Sequence, residues 1–440
     1  MPRTTRIADD ALGMPVTARA SSGADAVTLV SAFVVVRLAL PSQFVVGPLG
    51  GAGAPATLFG LLLLAYWLWH RLRRAVAVPG ASANVVALVF VGVALGSYVI
   101  ALWRPIAADE MSLSGLSLLI LASWLGGLLL ASDGVTTTER LRVLVSRIVI
   151  MGGIFSGFGL VQFVTKTAWV NRLSIPGLVI NTPIYAVGQR EGFIRPFSTA
   201  IHPIEFGSVI AMMLPLTIVY GLLGSGSGRM RWRNWIPAAL TVLAASLSSS
   251  RSTVVGVVIG VAVLFPALNR VQRIIGGIAA AVLGVFVFVT VPGMVGTITG
   301  LFGGVTSGDS SIASRVDSFA VAARYFSRTP ILGRGFGTFL PRYRIFDNQY
   351  LLEIVEMGVL GFGAMLALWV VPVIGIARVV RRSAVDSPQR LLGAGLLASC
   401  VVGGVGLAFF DGFGFPMMPA IWFVLLGVGG AYTRLAATSS

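Results

Sequence analysis

Three polar clusters interrupt an otherwise apolar chain, and their residue types define a chemistry. Arg190 to His202 reads REGFIRPFSTAIH and leads through Pro203 into an apolar run that holds Glu205. Ser246 to Thr253 reads SLSSSRST, and Arg251 is its one charge. Gly333 to Gly361 reads GRGFGTFLPRYRIFDNQYLLEIVEMGVLG, with Asp347 the one acid between Asp317 and Glu353. A guanidinium can clamp a phosphate through two parallel hydrogen bonds, which makes Arg195 and Arg251 candidates for holding an anion. A carboxylate at Asp347, kept ionised by Arg342, Arg344 and a neighbouring amide, can take the proton of a hydroxyl nucleophile. Each residue also has a plainer reading: Arg195 as an interface anchor, His202 as an interfacial histidine, Arg251 as a snorkelling anchor, and Asp347 as a helix amino-terminal cap.

The elements that must position these groups are membrane helices. Of 440 residues, 56% are hydrophobic and 11% charged, and the mean hydropathy is +0.90. That balance excludes a set of soluble domains. Apolar runs of about 18 residues or more recur along the chain, with centres near Val35, Leu62, Val91, Ile120, Ile150, Met212, Leu243, Ile259, Ala280, Leu366, Val401 and Phe423. The expected fold is all-α, a polytopic bundle of about twelve spans. The net charge of +16 rests on arginine, Lys166 being the one lysine. In such a chain basic residues set helix orientation and imply no nucleic acid. One cysteine, Cys400, leaves no disulfide or cysteine metal cluster within the chain. No metal and no cofactor are expected.

Residues 1–25 lack an apolar signal segment and read as a cytoplasmic tail. If that tail is inside, alternate connections carrying Arg71, Arg73 and Arg74; Arg140 and Arg142; Arg229, Arg231 and Arg233; Arg270 and Arg273; and Arg378, Arg381, Arg382 and Arg390 are inside too. The expected layout is then spans one to nine over 26–291 with an outer loop at 165–199, a large outer loop at 292–348, spans ten to twelve over 349–433, and a second cytoplasmic tail at 434–440. Both outer loops are rich in arginine against the usual trend, the first with Arg172, Arg190 and Arg195, the second with Arg315, Arg324, Arg328, Arg334, Arg342 and Arg344. An anion at that surface, a lipid headgroup or a phosphorylated substrate, accounts for them. Within the second loop, Ser310 to Ser327 has the spacing of an amphipathic helix lying on the interface. Glu353 and Glu356 follow Asp347 by one and two turns and must face the bundle interior or a polar cavity.

At these residues the chain resembles the bacterial O-antigen ligase and Wzy-type polysaccharide polymerase superfamily. The resemblance lies in Arg-Pro-Phe-Ser-x3-His-Pro entering a span, Ser-x-Ser-Arg-Ser over Ser248 to Ser252, Ser314-Arg315, Pro330-Ile-Leu-Gly-Arg-Gly-Phe-Gly-Thr-Phe339, and Asp347-Asn348-x9-Gly358-x2-Gly361. These motifs stand in the family's order over about 190–361. The resemblance implies a GT-C type fold in the bacterial cytoplasmic membrane with the active site facing outside. It implies transfer of a glycan from a polyprenyl-diphosphate donor, such as an undecaprenyl diphosphate, to an acceptor hydroxyl on a glycan or lipid-glycan. That transfer is metal-independent and inverting, and other envelope polysaccharide assembly proteins are expected partners. Arg195 and Arg251 would bind the diphosphate and Asp347 would accept the acceptor-hydroxyl proton or orient the acceptor, with Arg315, Asn348, Arg190, His202, Arg334 and Arg342 as further substrate contacts. Asp347 stands where the family pattern has histidine, which shifts weight from a lipid A core ligase toward a polymerase or another envelope-glycan transferase.

Two readings from other classes stand beside this one. Twelve helices with both termini inside also suit a secondary transporter or flippase for an anionic envelope precursor, although no repeat relates the two halves and the charges gather at one surface. Loss of the family histidine also suits an inactive scaffold of an envelope assembly complex.

Overall fold

A computed structural model describes residues 25–73, 81–181, 188–190, 193–224, 232–248, 250–278, 281 and 310–438. It is a helical bundle with two short β-pairs. The helices are α1 (Ala26–Ala39), α2 (Pro55–Arg73), α3 (Ser82–Ala101), α4 (Ala108–Gly134), α5 (Thr138–Thr165), α6 (Pro203–Leu223), α7 (Ile236–Leu247), α8 (Arg251–Leu264), α9 (Ser310–Phe326), α10 (Gln349–Arg382), α11 (Pro388–Gly406) and α12 (Met417–Thr438). Seven of these are long and apolar enough to cross a membrane. The short helix Gly47–Gly53 and α2, bent by 67°, add an eighth if counted as one span. This is a multi-pass membrane protein, and the described spans are fewer than the twelve expected. The difference has particular causes. α1 has 14 residues, α7 has 12 and α8 has 14, each short against the roughly 20 that cross a bilayer upright. The expected ninth span, centred near Ala280, and the first part of the large loop lie mostly outside the described residues.

Side-chain caps start several helices. Asp25 Oδ1 accepts from Thr28 N at 3.0 Å, Thr137 Oγ1 from Arg140 N at 3.2 Å and Ser387 Oγ from Arg390 N at 3.2 Å. Each satisfies an amide that the helix itself leaves without a carbonyl.

α12 is the axis of the bundle, buried from Met417 through Tyr432, and it packs along α4, which packs in turn against α2. Those contacts need small residues. A Cβ on Gly427 would lie 2.3 Å from the Leu128 carbonyl oxygen, and one on Gly126 would lie 2.3 Å from that of Gly60. Close backbone approach of this kind replaces the hydrophobic driving force that lipid cannot provide. Trp124, Phe413 and Phe423 form an aromatic knot at this contact, with ring centroids 5.4–6.5 Å apart.

The connections sort to two ends. At one, Asp25 pairs with Arg140, and Arg434 donates to the carbonyls of Ser132 and Val135 at 2.9 and 2.6 Å. At the other, β1 (Phe44–Val45) pairs antiparallel with β2 (Val179–Ile180), and connections 40–54, 102–107, 166–181, 193–202, 327–348 and 407–416 meet. The second end carries the polar clusters.

Candidate active site

The segment 193–202 is built by anchoring to three helices. β3 (Gly188–Arg190) and β4 (Phe193–Arg195) form a hairpin in which Gly188 faces Arg195 and Arg190 faces Phe193. The two arginines therefore share one hairpin, and the Arg190 side chain lies outside the described residues. The chain then dives into the protein, buried from Pro196 to Ala200. Ser198 adopts φ 55°, a conformation that costs a non-glycine residue about 1–2 kcal/mol. Gln162 of α5 offsets that cost: its Oε1 accepts from Phe197 N at 3.2 Å and Ser198 N at 2.7 Å, and its Nε2 donates to Ser198 O at 2.7 Å. Ser198 Oγ donates to Phe155 O at 2.8 Å and Thr199 Oγ1 to Leu38 O at 2.6 Å. Arg195 is thus held at the head of a rigid turn seated on α1 and α5.

His202 closes the segment as the cap of α6, its Nδ1 accepting from Ile204 N at 3.1 Å. That bond leaves the proton of the neutral ring on Nε2, where it can be donated. Burial, with the nearby charge of Arg195, lowers the His202 pKa below the ordinary value, so the ring is uncharged near neutrality. Three residues on, Glu205 is fully buried. Its carboxylate accepts from Ile201 N at 3.0 Å and Met417 N at 2.5 Å, tying this segment to the start of α12.

The loop 330–339 is fitted into a break in α10. Gly358 has φ 64° and ψ −159° inside that helix, which frees two carbonyls and two amides at the break. The loop satisfies them: Arg334 N and Gly335 N donate to Val355 O and Glu356 O at 2.9 and 2.8 Å, and Val359 N and Leu360 N donate to Pro330 O and Ile331 O at 2.8 and 3.2 Å. The Glu356 side chain then accepts from Gly337 N and Phe339 N, both at 2.9 Å. Glu353 and Glu356 are 0% and 4% exposed, as their position demanded.

Arg334 pairs with Glu110 of α4, and its guanidinium lies 4.7 Å from the Tyr343 ring centroid. Arg104 joins the same carboxylate at 3.3 Å. Arg342 pairs with Asp109 and stays about half exposed. The cation expected to flank Asp347 is therefore held on α4 instead, while Arg344 donates to Asp317 and to Ser318 Oγ, the latter at 3.0 Å. Long-range pairs of this kind have no signature in sequence spacing.

Asp347 does not cap α10. Asn348 does, with Oδ1 accepting from Tyr350 N at 2.9 Å and Leu351 N at 3.3 Å. That leaves Asp347 exposed, one residue ahead of the cap. Its neighbour is Asp411, in the connection between α11 and α12. Burial pushes the Asp411 carboxyl up to about 6, opposed by the Gly414 amide and assisted by the charge of Asp347. Gln349 latches that connection to α10, since Gln349 N donates to Leu407 O and Phe413 N donates to Gln349 Oε1, both at 2.9 Å. From there the stack of Phe410, Phe415 and His202, with centroids 5.7 and 5.9 Å apart, leads back to the arginine segment. Connection 407–416 thus joins the Asp347 corner to the Arg195 and His202 corner.

Arg251 is the first residue of α8. The hydroxyls of Ser250 and Ser252 lie 2.9 Å apart, and Thr253 packs on α6 so closely that a Cβ on Gly207 would meet its Oγ1 at 1.9 Å. The backbone of Arg251 therefore starts beside the first turns of α6, the helix that His202 caps. The side chains of Arg251 and Arg315 lie outside the described residues. Among the described residues, no three His, Cys, Asp or Glu side chains are grouped to hold a metal.

Residues 236–366 match the O-antigen ligase family model. The match supports the O-antigen ligase/Wzy-type superfamily, and with it a membrane glycan ligase or polymerase. It runs from α7 into α10 and takes in Arg251, Arg315, Asp347 and Asn348, while Arg195 and His202 precede it. No curated protein matches the chain.

Four side chains at this end escaped the sequence reading in whole or in part: Arg37, Gln162, Asp411 and the anchoring role of Glu356. Two had a signal. Arg37 is the one charge in α1 and Asp411 the one acid after Asp386, and isolated charges in apolar surroundings are functional candidates. Gln162 had none beyond being an amide in an apolar run.

Proposed function

We propose that this protein is a membrane glycosyltransferase that polymerises or ligates a polyprenyl-diphosphate-linked glycan at the outer face of the bacterial cytoplasmic membrane. The observation that carries the reading is the joining of the arginine segment 195–202 to Asp347 through connection 407–416, at the end where α8 begins with Arg251. Donor diphosphate would sit on Arg195 and Arg251, with Arg315 and Arg190 approaching from the outer loops and His202 Nε2 donating a hydrogen bond. Arg342, half exposed on Asp109, can exchange that partner for an anion, and Arg334 and Asn348 hold the loop and helix that present Asp347.

In the reaction an acceptor hydroxyl oxygen attacks the anomeric carbon of the donor glycan. The bond from that carbon to the diphosphate oxygen breaks, and its electron pair leaves on the diphosphate. Fixed guanidinium groups stabilise the charge as it grows. Asp347 takes the hydroxyl proton, so the carboxylate becomes a carboxylic acid and the anomeric configuration inverts. Polymer or ligated glycan and free polyprenyl diphosphate are the products.

The test is to supply purified protein, in detergent and without any ion gradient, with a lipid-diphosphate glycan and an acceptor glycan. Formation of a longer or transferred glycan together with released lipid diphosphate supports the enzyme. Recovery of the substrate unchanged under all acceptor conditions sinks it and favours transport.

A further inference from the structure

We propose that Arg37 of α1 is an additional cation of the diphosphate subsite, gripping one phosphate from beneath the Arg195 segment. The proposal rests on the donor assigned above and extends the site into the first helix, far outside the matched residues 236–366.

Arg37 is 2% exposed. Its Nε and Nη2 are both buried and have no hydrogen-bond partner among the described residues. Among the described residues no carboxylate forms an ion pair with it. Glu205 is the acid near enough to feel its charge, but both Glu205 oxygens are already engaged by the amides of Ile201 and Met417. The remaining support is the Phe33 ring, whose centroid lies 5.7 Å from the guanidinium carbon. A cation in the last turn of a helix is favoured by the helix dipole, yet that benefit is small beside the cost of stripping water from a buried charge. A buried guanidinium without partners is therefore the mark of an anion that belongs there.

The geometry says which anion. Nε–H and one Nη2–H lie along a single edge of the guanidinium plane, the edge that pairs with two oxygens of one phosphate. The turn of α1 that carries Arg37, and the chain just after it, are bonded directly to the arginine segment: Leu38 O accepts from Thr199 Oγ1 at 2.6 Å, and Ser42 N donates to Thr199 O at 3.0 Å. Arg195 and His202 stand at the two ends of that segment, so α1 delivers its cation under the same loop that displays theirs. A diphosphate has a phosphate for each side of such a clamp. A phospholipid headgroup shares the phosphate chemistry, and the experiment separates the two.

The full chain, purified in a neutral detergent, is titrated with farnesyl diphosphate, and binding is read from the shift in melting temperature and from tryptophan fluorescence. Arg37→Met is expected to weaken binding about 10- to 100-fold, the range for losing hydrogen bonds to a charged group, and Arg195→Met to weaken it similarly. Without ligand, Arg37→Met is expected to melt at or above the wild-type temperature, because relief of a buried charge outweighs the loss of its contact with the Phe33 ring, and no hydrogen bond or ion pair among the described residues is lost. A structural ion pair would instead lower it. Should Arg37→Met not yield folded protein, Arg37→Lys decides: it keeps the charge, loses the fork and is expected to bind about tenfold more weakly. Wild-type affinity in the lysine variant would then overturn the assignment. Unchanged affinity in a folded Arg37→Met, with Arg195→Met weakened, overturns this proposal and leaves the function standing. Displacement of farnesyl diphosphate by an equal concentration of phosphatidylglycerol assigns Arg37 to a lipid headgroup and overturns it too. A wild-type protein that binds no farnesyl diphosphate overturns both.

Discussion

Glu356 is the carboxyl on which the shape of the loop 330–339 depends, and Glu356→Ala puts that to a quantitative test. Its side chain accepts from the amides of Gly337 and Phe339 at 2.9 Å each, in a place where Glu356 is 4% and Phe339 6% exposed. Deleting the acceptor orphans two amides, at roughly 1–3 kcal/mol apiece, so the loop should loosen by about 2–6 kcal/mol. The backbone carbonyl of Glu356, which holds Gly335 N at 2.8 Å and Ser97 Oγ at 2.9 Å, survives the substitution. The damage should therefore stay local to 336–346. Hydrogen exchange read by mass spectrometry on peptides covering that stretch is the assay. Even the lower figure corresponds to roughly thirtyfold faster opening, with peptides from α12 unchanged, because stability is lost in local units. Glu356→Gln keeps one acceptor and should fall between. Wild-type protection over 336–346 in the alanine variant would refute the claim that Glu356 shapes the loop.

Two further outcomes follow from the same end of the bundle. Asp411 has its pKa raised to about 6 in the folded protein from the ordinary 3.8. A raised carboxyl favours folding at low pH, so stability should fall as pH climbs from about 4 to 6; Asp411→Asn should erase that slope and gain up to about 3 kcal/mol at pH 7, measured by thermal melts across pH. Gly358→Ala should destabilise by about 2 kcal/mol or more, because φ 64° is strained for alanine and its Cβ would lie 2.5 Å from Ile331 O. A melting temperature within a degree of wild type would contradict the account of the α10 break.

The sequence made the membrane class plain, since long apolar runs admit no other fold, and it located all three polar clusters that the bundle gathers at one end. Seven or eight of the twelve expected spans are long and apolar enough among the described helices, because α1, α7 and α8 are shorter than an upright span and the stretch around Ala280 lies mostly outside the described residues. Arg342 and Arg344, close to Asp347 in sequence, pair with Asp109 and Asp317, and Asp109 is brought near only by packing of the loop on α4. The cap of α10 fell to Asn348 and not Asp347, a one-residue difference that amide and carboxylate propensities do not resolve. Arg37 and Asp411 lay in plain view as isolated charges, but their importance depends on neighbours from α6 and α10 that no local pattern announces.

The central claim is that Asp347 accepts a proton while cations hold a diphosphate. Its most direct test is the transfer rate of purified Asp347→Ala against wild type on a radiolabelled lipid-diphosphate glycan, with farnesyl diphosphate affinity measured on the same preparations. The account predicts a rate lower by about 10²- to 10⁴-fold, the usual contribution of a positioned base, with affinity unchanged. Transfer by Asp347→Ala within a few-fold of wild type would contradict it.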